Sequence, residues 1–240
     1  MPCYLAVDTA TEACSVAIAV DGAVRERFEP MQREHTQKLL PMIHAVLSDA
    51  GKTVSQLDGI ACGIGPGSFA GLRIGLGVVK GLALARDLPV AGVSSLAMLA
   101  QRQMRLAGAT RVVSVIDARM SEVYFGAFVR DGGLAVPVLP EQVCAPAAVP
   151  ALSAGPWLGA GSGWGRYEAV LRAALREPMT GIEPAALPHA EDALELALPR
   201  FRAGLVASAD ALAPAYLRDH VALTLVEQES LRLRKTKEVS

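Results

Sequence analysis

Two stretches of this chain follow one plan. Tyr4-Leu-Ala-Val-Asp8 is a short apolar run that ends in an acid, with a polar turn after it, a second β-type run from Cys14 to Val20, and then Asp21-Gly22. Arg111-Val-Val-Ser-Val-Ile-Asp117 repeats the pattern, with a further run from Glu122 to Val129 and then Asp131-Gly132. Asp8 precedes Asp21 by 13 positions, and Asp117 precedes Asp131 by 14. Asp-Gly between apolar runs is a tight-hairpin signal. A repeat of this kind builds two lobes on one plan. Two unrelated hairpins would read the same way, and two matches leave both readings standing.

Between the repeats the order of elements is that of a mixed sheet flanked by helices. Ala23 to Glu29 reads as a third strand and Glu34 to Ala50 as a helix, with Leu39, Leu40, Ile43, Val46 and Leu47 at helical spacing. Pro41 should kink that helix or open a fresh first turn, and Gly51 stops it. A strand over Leu57 to Gly63, a helix over Ser68 to Arg86 and a strand over Leu88 to Val93 follow. Ser94 or Ser95 then caps a helix to Leu106. After Pro137 the pattern thins. Helices are expected over Trp164 to Arg176, Ala190 to Ala203 and, at the end, Leu223 to Lys237, whose last turn carries Arg232, Arg234, Lys235 and Lys237. The expectation is an α/β chain of two lobes, residues 1–107 and a reduced 108–240, with the last helix returning toward the first lobe.

Composition narrows the function classes. Of 240 residues, 52% are hydrophobic and 20% charged, enough for a substantial core. A formal net charge of −1 gives no general pull toward nucleic acid or anionic membrane. The N-terminus lacks the layout of a signal peptide, and no apolar run reaches the length of a membrane span. Cys3, Cys14, Cys62 and Cys144 form no CxxC pair and read as reduced, mostly buried thiols of a cytosolic protein.

Residues 63–77, GIGPGSFAGLRIGLG, look like a phosphate loop. The Walker lysine is missing, because Gly71 is followed by Leu72, and the third glycine of a dinucleotide fingerprint falls near Phe69-Ala70. The helix that follows is apolar or glycine nearly all round, and its charges are Arg73, Lys80 and Arg86. Gly67, Gly71 and Gly75 recur every four residues, as do Gly77 and Gly81. Each interior glycine costs a helix roughly 0.5–1 kcal/mol against alanine, so another element should approach closely. One reading makes this the buried central helix of its own lobe. The other leaves a face for a partner, with Gly67, Phe69, Gly71, Leu72, Ile74, Gly75, Val78 and Leu82, together with His35, Leu39, Leu40 and Ile43, at the contact. On that second reading, leucine at Gly71 or Gly75 costs assembly more than folding.

The histidines His35, His44, His189 and His220 show no metal-ligand spacing. Asp8 and Asp117, each at a strand end, either organise Mg²⁺ and phosphate or cap the turns that follow them.

LAVDTATEACSVAI at 5–18, REHTQKLLPMI at 33–43, GIGPGSFAGLRIGL at 63–76, KGLA at 80–83, SSLAMLA at 94–100, IDARMSEVY at 116–124 and PAYLRD at 214–219 together resemble the TsaB (YeaZ) family. The resemblance implies the actin-like (ASKHA, ribonuclease H-like) fold: two related lobes, each a mixed β-sheet flanked by helices. It also implies a non-catalytic, cytoplasmic accessory subunit that has no cofactor, metal or catalytic residue of its own. Such subunits support a TsaD-like catalytic paralogue, with a TsaE-like ATPase. The complex moves threonylcarbamoyl from its adenylate to adenosine 37 of tRNAs reading codons that begin with adenine. The family pairs through the helices of its first lobe, forms homodimers when alone, meets tRNA only through the complex and has no membrane role. TsaD-like proteins carry an HxxxH metal pair on the first helix; here His35 is followed by Leu39 at the second position. Of the glycine-rich nucleotide loops, only Gly159-Ala-Gly-Ser-Gly-Trp-Gly165 remains. The alternatives are an actin-like kinase or ATPase using Asp8, Asp117 and Mg²⁺, and, weakest, a metallopeptidase.

Overall fold

A computed structural model of the chain describes residues 2–31 and 34–218. The expected helix over Leu223 to Lys237 and His220 lie outside the described residues. In the first half, β1 (Cys3–Asp8), β2 (Ala13–Val20) and β3 (Ala23–Pro30) form an antiparallel meander. β4 (Gly59–Gly65) then pairs parallel to β1, and β5 (Val90–Ser94) parallel to β4. The second half repeats this with β6 (Arg111–Arg119), β7 (Glu122–Asp131) and β8 (Leu134–Pro137) as the meander. A short β9 (Gln142–Cys144) also pairs with β7, and β10 (Trp157–Ala160) and β11 (Met179–Glu183) add the parallel strands. The first sheet runs β3-β2-β1-β4-β5 and the second β8-β7-β6-β10-β11, the same order twice. The repeated acid-and-hairpin pattern is therefore a repeated topology, as the actin-like plan requires.

Strand alternation decides which helices pack where. Leu5, Val7, Cys14, Val16, Ile18, Ile60 and Cys62 point to one face of the first sheet, under α1 (His35–Asp49) and α2 (Phe69–Arg86). Ala6, Ala17, Ala19, Ala61 and Ala91 point to the other, where α5 (Ala190–Arg202) lies on them through Ala190, Ala193, Leu194 and Ala197. Alanine against alanine brings backbone close to backbone. Between the sheets, α3 (Ser95–Leu106) buries Leu96, Leu99 and Met104 against Val112, Ile116 and Phe128, while Ser94 caps it by accepting from the amides of Leu96 and Ala97. On the outer face of the second sheet, α4 (Ser162–Leu175) sets Trp164 into the core beside Val113, Val115 and Phe125. The Trp164 indole packs over Gly159 and donates to the Val113 carbonyl at 3.1 Å, so a side chain fills the space above the remnant glycine loop. Pro41 sits inside α1 without ending it.

Although α5 follows the second sheet in sequence, it belongs in space to the first, and strand residues cap it. Glu26 of β3 accepts from the Glu191 amide at 2.9 Å and from His189 Nδ1 at 2.7 Å; Ser15 of β2 accepts from the Ala190 amide at 2.9 Å and donates to Glu26. A carboxylate at a helix N-terminus satisfies orphan amides and complements the dipole. Burial raises the Glu26 pKa, but the His189 bond and the Glu191 amide outweigh it, and the net shift is downward. A carboxyl depressed in the folded state stabilises above its unfolded value and loses that contribution as pH falls through the folded one. Glu26→Ala should therefore cost about 1–3 kcal/mol in urea unfolding at neutral pH, with the gap to wild type narrowing below roughly pH 4.

Candidate functional site

Helix α2 presents two glycine tracks to different surroundings. On one side the turn after β1 lies in a groove along the helix. A Cβ at Gly67 would stand 2.1 Å from the Ala10 carbonyl oxygen, one at Gly71 2.1 Å from that of Thr9, and one at Gly75 2.4 Å from Thr9 Oγ1. Thr9 Oγ1 donates to the Gly71 carbonyl at 2.7 Å, and the Ser68 amide to the Ala10 carbonyl at 2.7 Å. Ser68 Oγ accepts from the Gly71 amide and caps the helix. On the other side Gly77 and Gly81 face outward, with nothing within 4 Å of a Cβ at either.

This divides the residues expected at a partner contact. His35, Leu39, Ile43, Gly67, Gly71, Leu72 and Gly75 are committed to the chain's own packing. Leu39, Ile43 and Leu72 lie in the core between helices and sheet. Buried His35 donates from Nε2 to the Ala13 carbonyl at 3.1 Å, and the three glycines admit the Thr9–Ala10 turn. The expectation that leucine at Gly71 or Gly75 would harm assembly more than folding is corrected accordingly, since the element that approaches them is intramolecular. The remaining five do reach the surface. Leu40 and Phe69 are exposed, and Ile74, Val78 and Leu82 are half-buried beside the open glycines.

A cavity of about 530 Å³ opens beside the start of α2, between the two sheets. Thr11, Ser68, Phe69 and Leu72 line it from the first half, and Ile116, Asp117, Arg119, Tyr124 and Ser162 from the second. Tyr216, Leu217 and Arg218, which belong to the PAYLRD motif, close one side, although the motif alone does not place them there. Of the two strand-end acids only Asp117 lines it, and arginine pairs with that one. The Asp117 carboxylate accepts from the Arg119 amide at 3.0 Å and from Arg166 Nη1 at 3.0 Å, and so caps its own turn. Asp8 does not line the cavity. Burial pushes its carboxyl up to about 7, with the Ala10 amide pulling the other way. Among the described residues no group of three or more His, Cys, Asp or Glu side chains could hold a metal ion. Buried Cys14 and Cys62 are free thiols whose pKa values burial raises, that of Cys14 to about 12, so neither is poised as a nucleophile.

The family model of TsaD, tRNA N6-adenosine threonylcarbamoyltransferase, matches residues 29–224. The tRNA threonylcarbamoyladenosine biosynthesis protein TsaB of Escherichia coli K12 is 42% identical over 91% of this chain and 95% of its own length. TsaB of Haemophilus influenzae is 40% identical over 90% of this chain and 94% of its own. This chain belongs to the TsaB family. The solved structure of YeaZ from Pseudomonas aeruginosa, 43% identical, superposes with a TM-score of 0.85 over 90% of this chain and all of that one. The family match and this superposition agree with the two-sheet architecture described above.

Two expectations follow from the geometry. Gly71→Ala should destabilise the chain by about 1–3 kcal/mol through overpacking against Thr9. Gly77→Ala, on the open track, should stabilise it by roughly 0.5–1 kcal/mol through helix propensity; paired urea titrations measure both. Asp8 supplies the second. An acid whose folded pKa is raised stabilises fully below its unfolded value and loses that contribution as pH climbs to the folded one. Wild-type stability should thus decline relative to Asp8→Asn from about pH 4 to about pH 7, by a few kcal/mol over the whole span. Asp192, which burial raises to about 6, is common to both proteins and cancels in the difference.

Proposed function

We propose that this chain is a non-catalytic subunit required for threonylcarbamoyl transfer to adenosine 37 of tRNAs reading codons that begin with adenine. It acts by binding a TsaD-like catalytic partner, together with a TsaE-like ATPase. The observation that carries this reading is the outer face of α2, where Ile74, Val78 and Leu82 flank the open glycines Gly77 and Gly81, with exposed Leu40 on neighbouring α1. A helix surface thinned to glycine lets a facing helix approach closely and bury the flanking side chains. The first lobe, residues 1–107, thus supplies the docking helices and the second lobe, from residue 108, braces them. Alone, the same face pairs with a second copy of the chain, giving a two-fold homodimer. The net charge of −1 fits a subunit that meets tRNA through the complex.

Support for a non-catalytic role comes from the residues a transferase of this family would use. On the first helix His35 is already bonded to Ala13, buried Leu39 stands one turn on, and His44 lies nine residues away. Asp117 is held by arginine, and Asp8 is sealed in the core. Free thiols at Cys3, Cys14 and Cys62, and described helices none of which is long and apolar enough to cross a membrane, fit a cytoplasmic location.

The test uses a strain whose own copy of this gene is depleted. Wild type should restore threonylcarbamoyladenosine in bulk tRNA. The double variant Gly77→Leu, Gly81→Leu should fold at least as stably as wild type, yet bind the TsaD-like partner at least about tenfold more weakly and restore less of the nucleoside. Undiminished nucleoside on depletion would overturn the function. Unchanged partner affinity in the double variant would overturn the docking face alone.

A further inference from the structure

The turn between β6 and β7 holds its thioether out to solvent. Arg119, Met120 and Ser121 all have positive φ, at 63°, 52° and 60°, a left-handed region that side-chain-bearing residues seldom occupy in succession. Met120 is 76% exposed. Its Sδ lies 3.6 Å from Arg218 Nη1, while Nη2 of the same guanidinium donates to the Ala118 carbonyl at 3.0 Å and to Glu122 at 2.6 Å. Arg218 lies on a strap that leaves α5 and runs along the first lobe. Ala207 bridges to Val90, Lys80 donates to the Asp210 carbonyl, and the Ala215 amide donates to the Ile64 carbonyl at 2.8 Å. Met120 and Arg218 are thus the two sides of a clasp that joins the strap to the second lobe beside the cavity.

We propose that Met120 is a selective oxidation site whose sulfoxide tightens this clasp. Among the other described methionines, Met31, Met42, Met98 and Met104 are buried and Met179 is half-buried. The co-reactant is a peroxide. A sulfur lone pair attacks one peroxide oxygen, the O–O bond breaks, and the departing oxygen takes the proton of the transferred hydroxyl. With hydrogen peroxide the products are sulfoxide and water; sulfur is oxidised by two electrons and the peroxide is reduced. A thioether sulfur is a weak acceptor, whereas the sulfoxide oxygen is polar and accepts well. Arg218 Nη1, already alongside, then donates a charge-assisted hydrogen bond to it. The guanidinium is held at a third point, and the strap back to Ala215 is held with it. Methionine sulfoxide reductases undo the change. This inference stands apart from the docking reading, because it concerns only the chain's own strap.

The experiment treats the full chain with dilute hydrogen peroxide, locates sulfoxide by peptide mass spectrometry and follows amide exchange over residues 212–218. Met120 sulfoxide should form at least about tenfold faster than sulfoxide at Met31, Met42, Met98 or Met104, following exposure. Exchange at Ala215 should then slow several-fold, at about the scale of one added hydrogen bond, and the reductase should restore the original rate. Met120→Leu should show no peroxide response in the strap, and Met120→Gln, with an amide acceptor in place, should slow exchange without peroxide. Oxidation of Met120 no faster than of the buried methionines overturns the proposal. So does a sulfoxide that leaves Ala215 exchange unchanged or faster, or a Met120→Leu chain that responds like wild type.

Discussion

The contact on which the first lobe depends is the seating of the Thr9–Ala10 turn in helix α2. Two backbone carbonyls and a threonine hydroxyl lie where side chains would stand on any other helix, and hydrogen bonds from Thr9 and Ser68 fix the depth. Because the turn belongs to β1, the contact sets the helix against the sheet. It also sets the height of the cavity wall, since Thr11 and Ser68 line it on either side of the same joint. The outward face of α2 is then aimed by what happens on its inward face. A helix able to receive a backbone turn in this way must be weak in itself, and its core packing through Leu72, Leu76, Val79 and Ala83 offsets that weakness.

The two sheets show how one topology serves different ends. In the first, large aliphatic residues face α1 and α2 while alanines face α5, so the sheet is asymmetric in thickness. In the second, the layer next to α4 is filled by Trp157, Trp164 and Phe125. An indole over Gly159 occupies volume that a bound group would otherwise take, and Arg166 neutralises the strand-end acid Asp117.

Much of the fold was legible in the sequence because its signals are local. Alternation, the Asp-Gly turns and the serine caps place β1 to β7 and α1 to α5 to within a few residues. The strands β8 to β11 escaped because runs of three to five residues carry no period, and for β10 because its partner β6 is distant in sequence. At the candidate site, the glycine spacing announced a close approach and left two readings open, and at Gly67, Gly71 and Gly75 the approaching element is the chain's own turn. A signal was present. Gly75 and Gly77 differ by two positions, about 200° around a helix, so the two tracks face opposite ways. The turn that fills one of them is brought in by the β1–β4 pairing, which the spacing of α2 does not encode.

The return of α5 and its strap to the first sheet bears on the order in which this protein can be made. Ala209 and Leu212 are buried in the same cluster as Leu5, Val16 and Ile60, and Ala190 to Ala197 cover the alanine face. The first lobe begins the chain, yet its core closes only when residues near position 212 have left the ribosome. Until then its alanine face stays open to water, although the strands of the second sheet are complete by residue 183. Both lobes thus wait for the same late stretch, the first for α5 and Leu212, the second for Leu217 and Arg218.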